Sequence, residues 1–175
     1  MGKLLVVILL LCVLFSGCRS SQTLETVMDT PVIEQQASAL QIVFDLPEEA
    51  AQQTMEEDDG STIYFCRDFE LITKTVDGGD LSKTILNTTG FEKESLEIIE
   101  TKHGENKKYV CTWVTTGEEG DCVGRCAIID DGAYHYVLSA LAEEPVAGEL
   151  AQGVWKEVFN SFRIAHPQDV VNSGS

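Results

Sequence analysis

"KKYVCTWVTTGEEGDCVGRCAIIDDGAYHYVLSALAEE", residues 107–144, contains three apolar runs rich in β-branched and aromatic residues. The runs are separated by "GEEG" and by Asp131-Gly132. Apolar runs divided by short turns that contain glycine predict consecutive antiparallel strands. The Asp-Gly pair also favours a two-residue type I′ turn. The stretch therefore predicts a three-stranded antiparallel meander.

The first hairpin of this meander has a predictable register. With "GEEG" as a four-residue loop, Thr116 opposes Asp121. The same register places Cys111 directly opposite Cys126, and Thr115 opposite Cys122. Opposed Cβ atoms in an antiparallel pair are about 4.5–5.5 Å apart, so the two facing cysteines are candidates for a disulfide bond.

The second hairpin follows from the proposed type I′ turn, in which Asp130 opposes Ala133 and His135 opposes Ile128. Along both strands, each face carries mostly apolar side chains. Central strands that are apolar on both faces predict a sheet that is covered on both sides.

Shorter elements surround the meander. The run "LQIVFDLP" predicts a strand that begins at Leu40, and "TIYFC" with "FELITKTV" predicts a hairpin. Asp80 can cap a short helix, "LSKTILNTT", which ends at Gly90. After Pro145, Leu150 begins an apolar stripe with a four-residue spacing, which predicts one C-terminal helix. The fold class is therefore α+β.

Several of these segments together show a family resemblance. They are the strand ending in "DLP", the meander with "YHYVLSALAEE", and the final "VWKEVFNSFRI" with its Ser161-Phe162 pair. This arrangement over residues 40–166 resembles the PsbP-like fold. The resemblance implies an antiparallel meander with helices on its faces, an α/β/α sandwich. It implies no catalytic residues, because members of this fold share no active site, and fold alone says little about function.

The N-terminal stretch "LLVVILLLCVLFSGCRSS", residues 4–21, follows a single basic residue, Lys3. Its uncharged run, residues 4–15, would form a helix about 18 Å long, shorter than the ~30 Å hydrocarbon core of a bilayer. Such a length is typical of a signal sequence. Ser16-Gly17-Cys18 resembles the lipobox of bacterial lipoproteins, although Phe15 stands where that motif usually has Leu.

The lipobox resemblance implies a domain organisation. The chain would be cleaved before Cys18, and this residue would carry the fatty-acyl (diacylglyceryl and palmitate-type) chains. Residues 1–17 are then the signal peptide, 18–39 a lipid-anchored tether, 40–166 a single α+β domain and 167–175 a loose tail. An ordinary secretory signal and a short uncleaved anchor are the alternatives. The predicted location is the extracytoplasmic side of the cell membrane.

The composition narrows the choice of partners. The chain has 29 acidic and 12 basic residues and a net charge of −17. Only Lys3 of these charged residues precedes Cys18, so cleavage would leave 29 acidic and 11 basic residues, a net charge of −18. This charge argues against nucleic acid and against electrostatic docking on anionic lipid. The predicted partners are the membrane, through the acyl chains on Cys18, and an unidentified envelope protein or small ligand.

The mature domain contains four cysteines. The register predicts a Cys111–Cys126 disulfide, which leaves Cys66 and Cys122 as the second pair; four reduced thiols are the alternative. The segment "CVGRC" lacks the two-residue spacing of a thiol-redox site. On a continuous strand, residues 122 and 126 lie about 13 Å apart and cannot share a metal ion, unless the strand breaks at Gly124.

Other candidate sites are weak. His135 is predicted to be a core or boundary residue, and the acidic run "EEDDG", residues 56–60, lacks the spacing of a calcium loop. Catalytic motifs are absent. We therefore predict a non-enzymatic binding or scaffold domain without a cofactor or metal site. The alternative is an envelope thiol-redox or metal-dependent protein that uses Cys111, Cys122 and Cys126 with His135.

Overall fold

The computed structural model describes residues 38–48, 50, 54–117 and 120–172. Nine strands lie within these ranges: β1 Gln41–Val43, β2 Thr54–Glu56, β3 Thr62–Phe65, β4 Glu70–Asp77, β5 Ile98–His103, β6 Asn106–Thr116, β7 Asp121–Asp130, β8 Tyr134–Glu143 and β9 Arg163–Ala165. The α-helices of the same ranges are α1 Leu81–Thr89, α2 Glu144–Gln152, α3 Val154–Ser161 and α4 Pro167–Asn172, and Lys93–Ser95 forms a 3₁₀ turn.

Seven strands form one antiparallel sheet in the order β2-β3-β4-β8-β7-β6-β5, and β1 pairs with β9 in a separate two-stranded sheet. The predicted meander is the β6-β7-β8 part of the large sheet. The register of its first hairpin agrees with the prediction, since Thr116 pairs with Asp121 and Cys111 with Cys126. The α+β fold class is confirmed.

The second hairpin differs from the prediction. His135 opposes Asp130 rather than Ile128, a slip of two residues. A type I′ turn requires positive φ at both central residues, but only Gly132, at φ 91°, meets this requirement. The carboxylate of Asp131 instead accepts hydrogen bonds from the backbone N–H groups of Ala133 and Tyr134, which widens the turn. A two-residue slip preserves alternation, so every side chain keeps its predicted face.

The prediction of a single C-terminal helix is also wrong, because the structure has two helices in this segment. The chain breaks at Gly153, whose φ of −102° and ψ of −113° lie outside the helical region. Glycine adopts such angles without steric cost. After the break, α3 turns Trp155, Val158 and Phe159 into the core.

The large sheet is apolar on both faces, as predicted, and each face has its own core. On one face α2, α3, β1 and β9 pack over the sheet, and this core contains the buried residues Phe69, Leu71, Ala127, Ile129, Tyr136, Leu138, Ala140, Ala142, Ala147, Trp155, Val158, Phe159 and Phe162. On the other face α1 covers a smaller core of Ile85, Tyr109, Cys111, Trp113, Cys126, Ile128 and Val137.

Helix α1 has the predicted boundaries. The side chain of Asp80 accepts a hydrogen bond from the backbone N–H of Lys83 at 3.0 Å and caps the helix N-terminus. At the other end Gly90 adopts φ 79°, and its N–H donates to the carbonyl of Leu86. These two caps define where α1 begins and ends.

The chain termini bear on the predicted organisation. Helix α4 lies inside the segment 167–175, which was predicted to be a loose tail. The predicted signal peptide, Cys18 and the tether up to residue 37 lie outside the described residues. Within the described ranges, no helix is both long enough and apolar enough to cross a bilayer.

Candidate ligand-binding cleft

A cleft of about 570 Å³ lies between α1 and the central part of the sheet formed by β4 and β8. Its apolar floor includes Ile72 and Val76 of β4 and Val137 of β8. The volume falls within the range of about 300–1,000 Å³ that is typical of small-ligand sites. This cleft is the candidate functional site.

The wall of the cleft is the polar side of α1. Lys83, Thr84, Asn87 and Thr88 line it, and they lie on one helical face because residues three and four apart are neighbours on a helix. Ile85 belongs to the opposite, apolar face and is buried in the smaller core. Helix α1 is therefore amphipathic, and its polar side faces the cleft.

An ion pair lies at the rim. The Lys74 ammonium is 2.5 Å from one carboxylate oxygen of Asp59, and the other oxygen accepts hydrogen bonds from the hydroxyl and the backbone N–H of Ser61. The hydrogen bond from Lys74, together with those from Ser61, holds the pKa of Asp59 well below its usual range. The pair is partly exposed to solvent, so it orders the rim rather than contributing much to stability.

Other polar side chains of the cleft make no such contacts. Among the described residues, the side chains of Asp77, Lys83, Asn87 and Ser139 have no hydrogen bond or ion pair. Ser139 is only 7% exposed, although it lines the cleft. Among the side-chain nitrogen and oxygen atoms of the described residues, only Nε1 of Trp155 is both fully buried and without a hydrogen-bond partner, so the Ser139 hydroxyl reaches the solvent of the cleft.

His135 lies in the core, as predicted, and it connects α1 to the sheet. Its Nδ1 is 2.8 Å from the Thr84 hydroxyl, and its Nε2 is 3.9 Å from a carboxylate oxygen of Asp130. Thr84, His135 and Asp130 together resemble a catalytic triad, but His135 is only 1% exposed and so is not accessible to a substrate. The Thr84 hydroxyl also lies 3.3 Å from the Asp80 carbonyl within its own helix. The arrangement fixes the position of α1.

Cys111 and Cys126 face each other, as the register predicts. Their sulfur atoms are 3.0 Å apart, which is hydrogen-bonding contact rather than the roughly 2.05 Å of a disulfide bond. The hydrogen bond with Cys111 and burial raise the pKa of the Cys126 thiol, and the same hydrogen bond lowers the pKa of Cys111. Both residues are buried, so neither is positioned as an accessible redox thiol.

Cys66 and Cys122, the second predicted pair, border one depression of about 290 Å³ near the end of the sheet where β4 begins. The strand does not break at Gly124, which pairs with Trp113 in the middle of β7. Within the part of the chain that the structure describes, no group of three or more His, Cys, Asp or Glu residues could hold a metal ion.

Sequence reasoning did not identify the cleft. Its residues come from three separate segments, the region around Asp59, β4 with α1, and β8. A local signal was present in "ELITKTVD", where Lys74 shares a strand face with Ile72 and Val76. Glu70, the first residue of that face, is also charged, so the pattern was too weak to locate the site.

Comparisons with known proteins support the fold only. No protein-family model matches the sequence, and no curated protein matches it. The solution structure of cyanobacterial PsbP (CyanoP) from Synechocystis sp. PCC 6803 matches with a TM-score of 0.50 and 11% identity, over 73% of this chain and 93% of that chain.

Two further solved structures have TM-scores below 0.5. A crystal structure from Bacteroides thetaiotaomicron VPI-5482 matches with a TM-score of 0.49 and 14% identity, over 73% of this chain and 46% of that chain. This chain thus spans less than half of the Bacteroides protein. LpqN of Mycobacterium tuberculosis, described as involved in cell envelope biogenesis, matches with a TM-score of 0.48 and 12% identity, over 74% of this chain and 86% of that chain.

The seven-stranded antiparallel sheet, the helices on both of its faces and the match to CyanoP lead to the same conclusion. The chain has a PsbP-like fold.

Proposed function

We propose that this protein is a lipid-anchored, extracytoplasmic bacterial lipoprotein whose domain is a non-enzymatic binding module. The observation that carries the binding role is the cleft beside α1, which combines an apolar floor with polar side chains that have no partner in the described chain. The anchoring role rests on the lipobox-like Ser16-Gly17-Cys18. Its ligand would be a small molecule or a segment of an envelope protein.

The geometry favours binding over catalysis. Thr84 carries a candidate nucleophilic oxygen beside the cleft, but Thr84 is only 6% exposed and His135, which lies within hydrogen-bonding distance of its hydroxyl, is only 1% exposed. The Cys111 and Cys126 thiols are buried within the smaller core, on the face of the sheet that α1 covers. A thiol-redox role thus lacks an accessible thiol at this pair.

The lipid anchor is tested by the intact mass of the full chain extracted from bacterial membranes. We expect cleavage before Cys18 and the added mass of the acyl chains. A Cys18→Ser variant should lose both. The matched control is Cys12→Ser, since this residue would leave with the signal peptide. Cleavage and membrane retention of Cys18→Ser at the wild-type level would refute the anchor.

The binding role is tested by ¹H–¹⁵N spectra of the detergent-solubilised full chain. The probes are glucose, N-acetylglucosamine, spermidine, inorganic phosphate, free amino acids and a tetrapeptide. We expect at least one probe to shift the signals of cleft residues such as Lys74, Val137 and Ser139. The Asn87→Trp variant should abolish these shifts, because its indole would occupy the cleft.

The matched control for Asn87→Trp is Leu86→Trp. Leu86 is the preceding residue of α1, is 36% exposed and does not line the cleft. The Leu86→Trp variant should therefore leave the shifts unchanged. If no probe perturbs cleft residues, or if Asn87→Trp leaves every shift in place, the cleft is not a binding site.

A further inference from the structure

Strand β5 forms one edge of the large sheet, since β6 is its only neighbour among the described strands. Residues 99–102 of β5 are exposed, and Ile99 is 58% exposed. The opposite edge, β2, is only three residues long and runs into the acidic segment 56–59. An exposed edge strand presents unpaired backbone groups, to which another strand can add. Of the two edges of the large sheet, β5 is therefore the better site for strand addition.

The hairpin that joins β5 to β6 shows which backbone groups of β5 face outward. His103 pairs with Asn106 across a two-residue loop, and such a loop is closed by a hydrogen-bonded pair. Hydrogen-bonded and non-hydrogen-bonded pairs alternate along an antiparallel ladder. The residues whose backbone N–H and C=O groups point away from β6 are therefore Ile98, Glu100 and Lys102.

The side chains of this edge carry unbalanced charge. Lys102 lies directly opposite Lys107 of β6, and like charges in such a pair repel each other. The Lys107 ammonium lies 3.6 Å from a carboxylate oxygen of Glu100, whereas Lys102 has no ion pair among the described residues. A carboxylate on the open side of Lys102 would therefore balance the charge of this edge.

A second copy of β5 supplies that carboxylate in one antiparallel register. Because outward-facing residues must lie opposite each other, a two-fold axis can lie at Ile99, Glu100 or Thr101. The first axis places Glu100 opposite an apolar Ile98, and the second places it opposite its own copy. With the axis at Thr101, each Glu100 lies opposite Lys102 of the second copy, and each of these pairs also exchanges both backbone N–H···O=C bonds.

The other face of β5 fits the same register. Thr101 then lies opposite Thr101 of the second copy at a non-hydrogen-bonded position, where opposed side chains are closest. Ile99 lies opposite His103 of the second copy, which covers part of its exposed surface. A β-branched pair at the axis and the burial of apolar surface both stabilise the joined strands.

We propose that two copies of this protein associate through antiparallel β5 strands, with the two-fold axis at Thr101. At an ionic strength of about 0.15 M, the repulsion between two chains of net charge −17 is screened beyond about 8 Å, so the charges beside the joint select the register. Strands β6 and β7 separate the joint from the cleft, which stays open on each copy. One strand pair is a small interface, so the dimer dissociates on dilution.

The test is cross-linking of the detergent-solubilised full chain with diamide. Thr101→Cys places two Cβ atoms about 4.5–5.5 Å apart across the axis, and we expect a reductant-sensitive dimer on a denaturing gel. The matched control is Ile99→Cys, which is exposed on the same face of β5. Its copy lies four residues further along the joined strands, about 13 Å away, so this variant and the wild type should stay monomeric on the gel.

A charge exchange tests the register. Lys102→Glu, added to Thr101→Cys, places two carboxylates opposite each other, and we expect the rate of cross-linking to fall about tenfold or more. This change also removes the repulsion between Lys102 and Lys107, so it does not weaken the hairpin. Adding Glu100→Lys restores opposite charges across the joint and should restore cross-linking.

Sedimentation equilibrium in density-matched detergent provides a second measurement. The mass should rise with concentration from one chain to two for the wild type, and should stay at one chain for Lys102→Glu. Failure of Thr101→Cys to cross-link, equal cross-linking of Ile99→Cys, or an unchanged rate in the Lys102→Glu background overturns the proposal. A mass that grows beyond two chains also overturns it, because a two-fold joint closes on itself.

Discussion

Gly124 is the residue at which β7 passes beneath an aromatic ring. A Cβ atom built at this position would lie 2.1 Å from Cε2 of Trp113, which is itself buried. We therefore expect Gly124→Ala to lower the free energy of unfolding by about 1–3 kcal/mol, because overpacking moves neighbouring side chains off their rotamers. Urea denaturation measures the change.

Gly148 provides the matched control for that prediction. It lies in α2, and apart from its chain neighbours and the backbone of its own helix no atom lies within 4 Å of a Cβ built on it. Gly148→Ala should raise the free energy of unfolding by about 0.5–1 kcal/mol, since alanine is the better helix former. Equal urea midpoints for the two alanine variants would show that Trp113 moves aside without cost.

Tyr136 ties the start of the domain to the β7–β8 turn. Its hydroxyl donates to a carboxylate oxygen of Asp131 at 2.8 Å and accepts from the backbone N–H of Leu40 at 2.9 Å. Tyr136→Phe leaves both partners unpaired, so we expect the free energy of unfolding to fall by about 1–3 kcal/mol near neutral pH.

The same hydroxyl predicts a loss of stability at alkaline pH. Burial raises the pKa of Tyr136 to about 12, from an ordinary value of about 10. Its contribution to stability is therefore complete below pH 10 and is lost between about pH 10 and 12, where the unfolded chain releases the proton first. We expect this part of the alkaline destabilisation to be absent in Tyr136→Phe and retained in Tyr134→Phe. If the free energy of unfolding falls in parallel with rising pH for wild type and Tyr136→Phe, this prediction is wrong.

At the scale of elements, β6 and β7 hold the two facing cysteines in a position from which a disulfide can form. Two opposed thiols with sulfur atoms 3.0 Å apart need only a small approach to bond. Diamide takes up the two thiol hydrogens as the sulfur–sulfur bond forms. We expect a Cys111–Cys126 disulfide in peptide mass spectra, and a gain in stability of about 3 kcal/mol from closing this short loop.

Variants of the cysteines assign that bond. Cys122→Ala should still form the Cys111–Cys126 bridge, whereas Cys126→Ala should not. If Cys111 and Cys126 remain open to alkylation in denatured protein after diamide treatment, the predicted pairing is wrong. The Cys66–Cys122 pair stays a prediction, supported by the depression that both residues border.

At the scale of the whole molecule, the charge is the dominant property. A net charge of −17 implies repulsion within the folded state. Raising the ionic strength from about 0.01 M to 0.15 M shortens the Debye length from about 30 Å to 8 Å. We expect the free energy of unfolding to rise over this range, as measured by urea denaturation with sodium chloride.

The isoelectric point provides the control for that experiment. Near pH 4.3 the chain carries little net charge, so the same salt should have almost no effect there. A salt-induced loss of stability at neutral pH would instead show that attractive pairs such as Lys74–Asp59 outweigh the repulsion.

Local patterns predicted most of the architecture, because alternation and turn residues depend on near neighbours. The β6–β7 register followed from one four-residue loop, and the caps of α1 followed from Asp80 and Gly90. The errors arose where two local solutions were available. At Asp131 a side chain competed for the backbone of the turn, and at Gly153 the helical pattern continued across a residue that left the helix.

The cleft, in contrast, could not be predicted from local patterns. Apolar periodicity was enough to specify an antiparallel sheet with two buried faces, since burying those faces requires covering elements whatever their exact path. It could not show that Ser139 of β8 and Asn87 of α1 line the same cavity, because they are 52 residues apart in the chain. Long-range packing brought them together, because the β4–β8 pairing and the seating of α1 on Thr84 and His135 arise only when the whole chain folds.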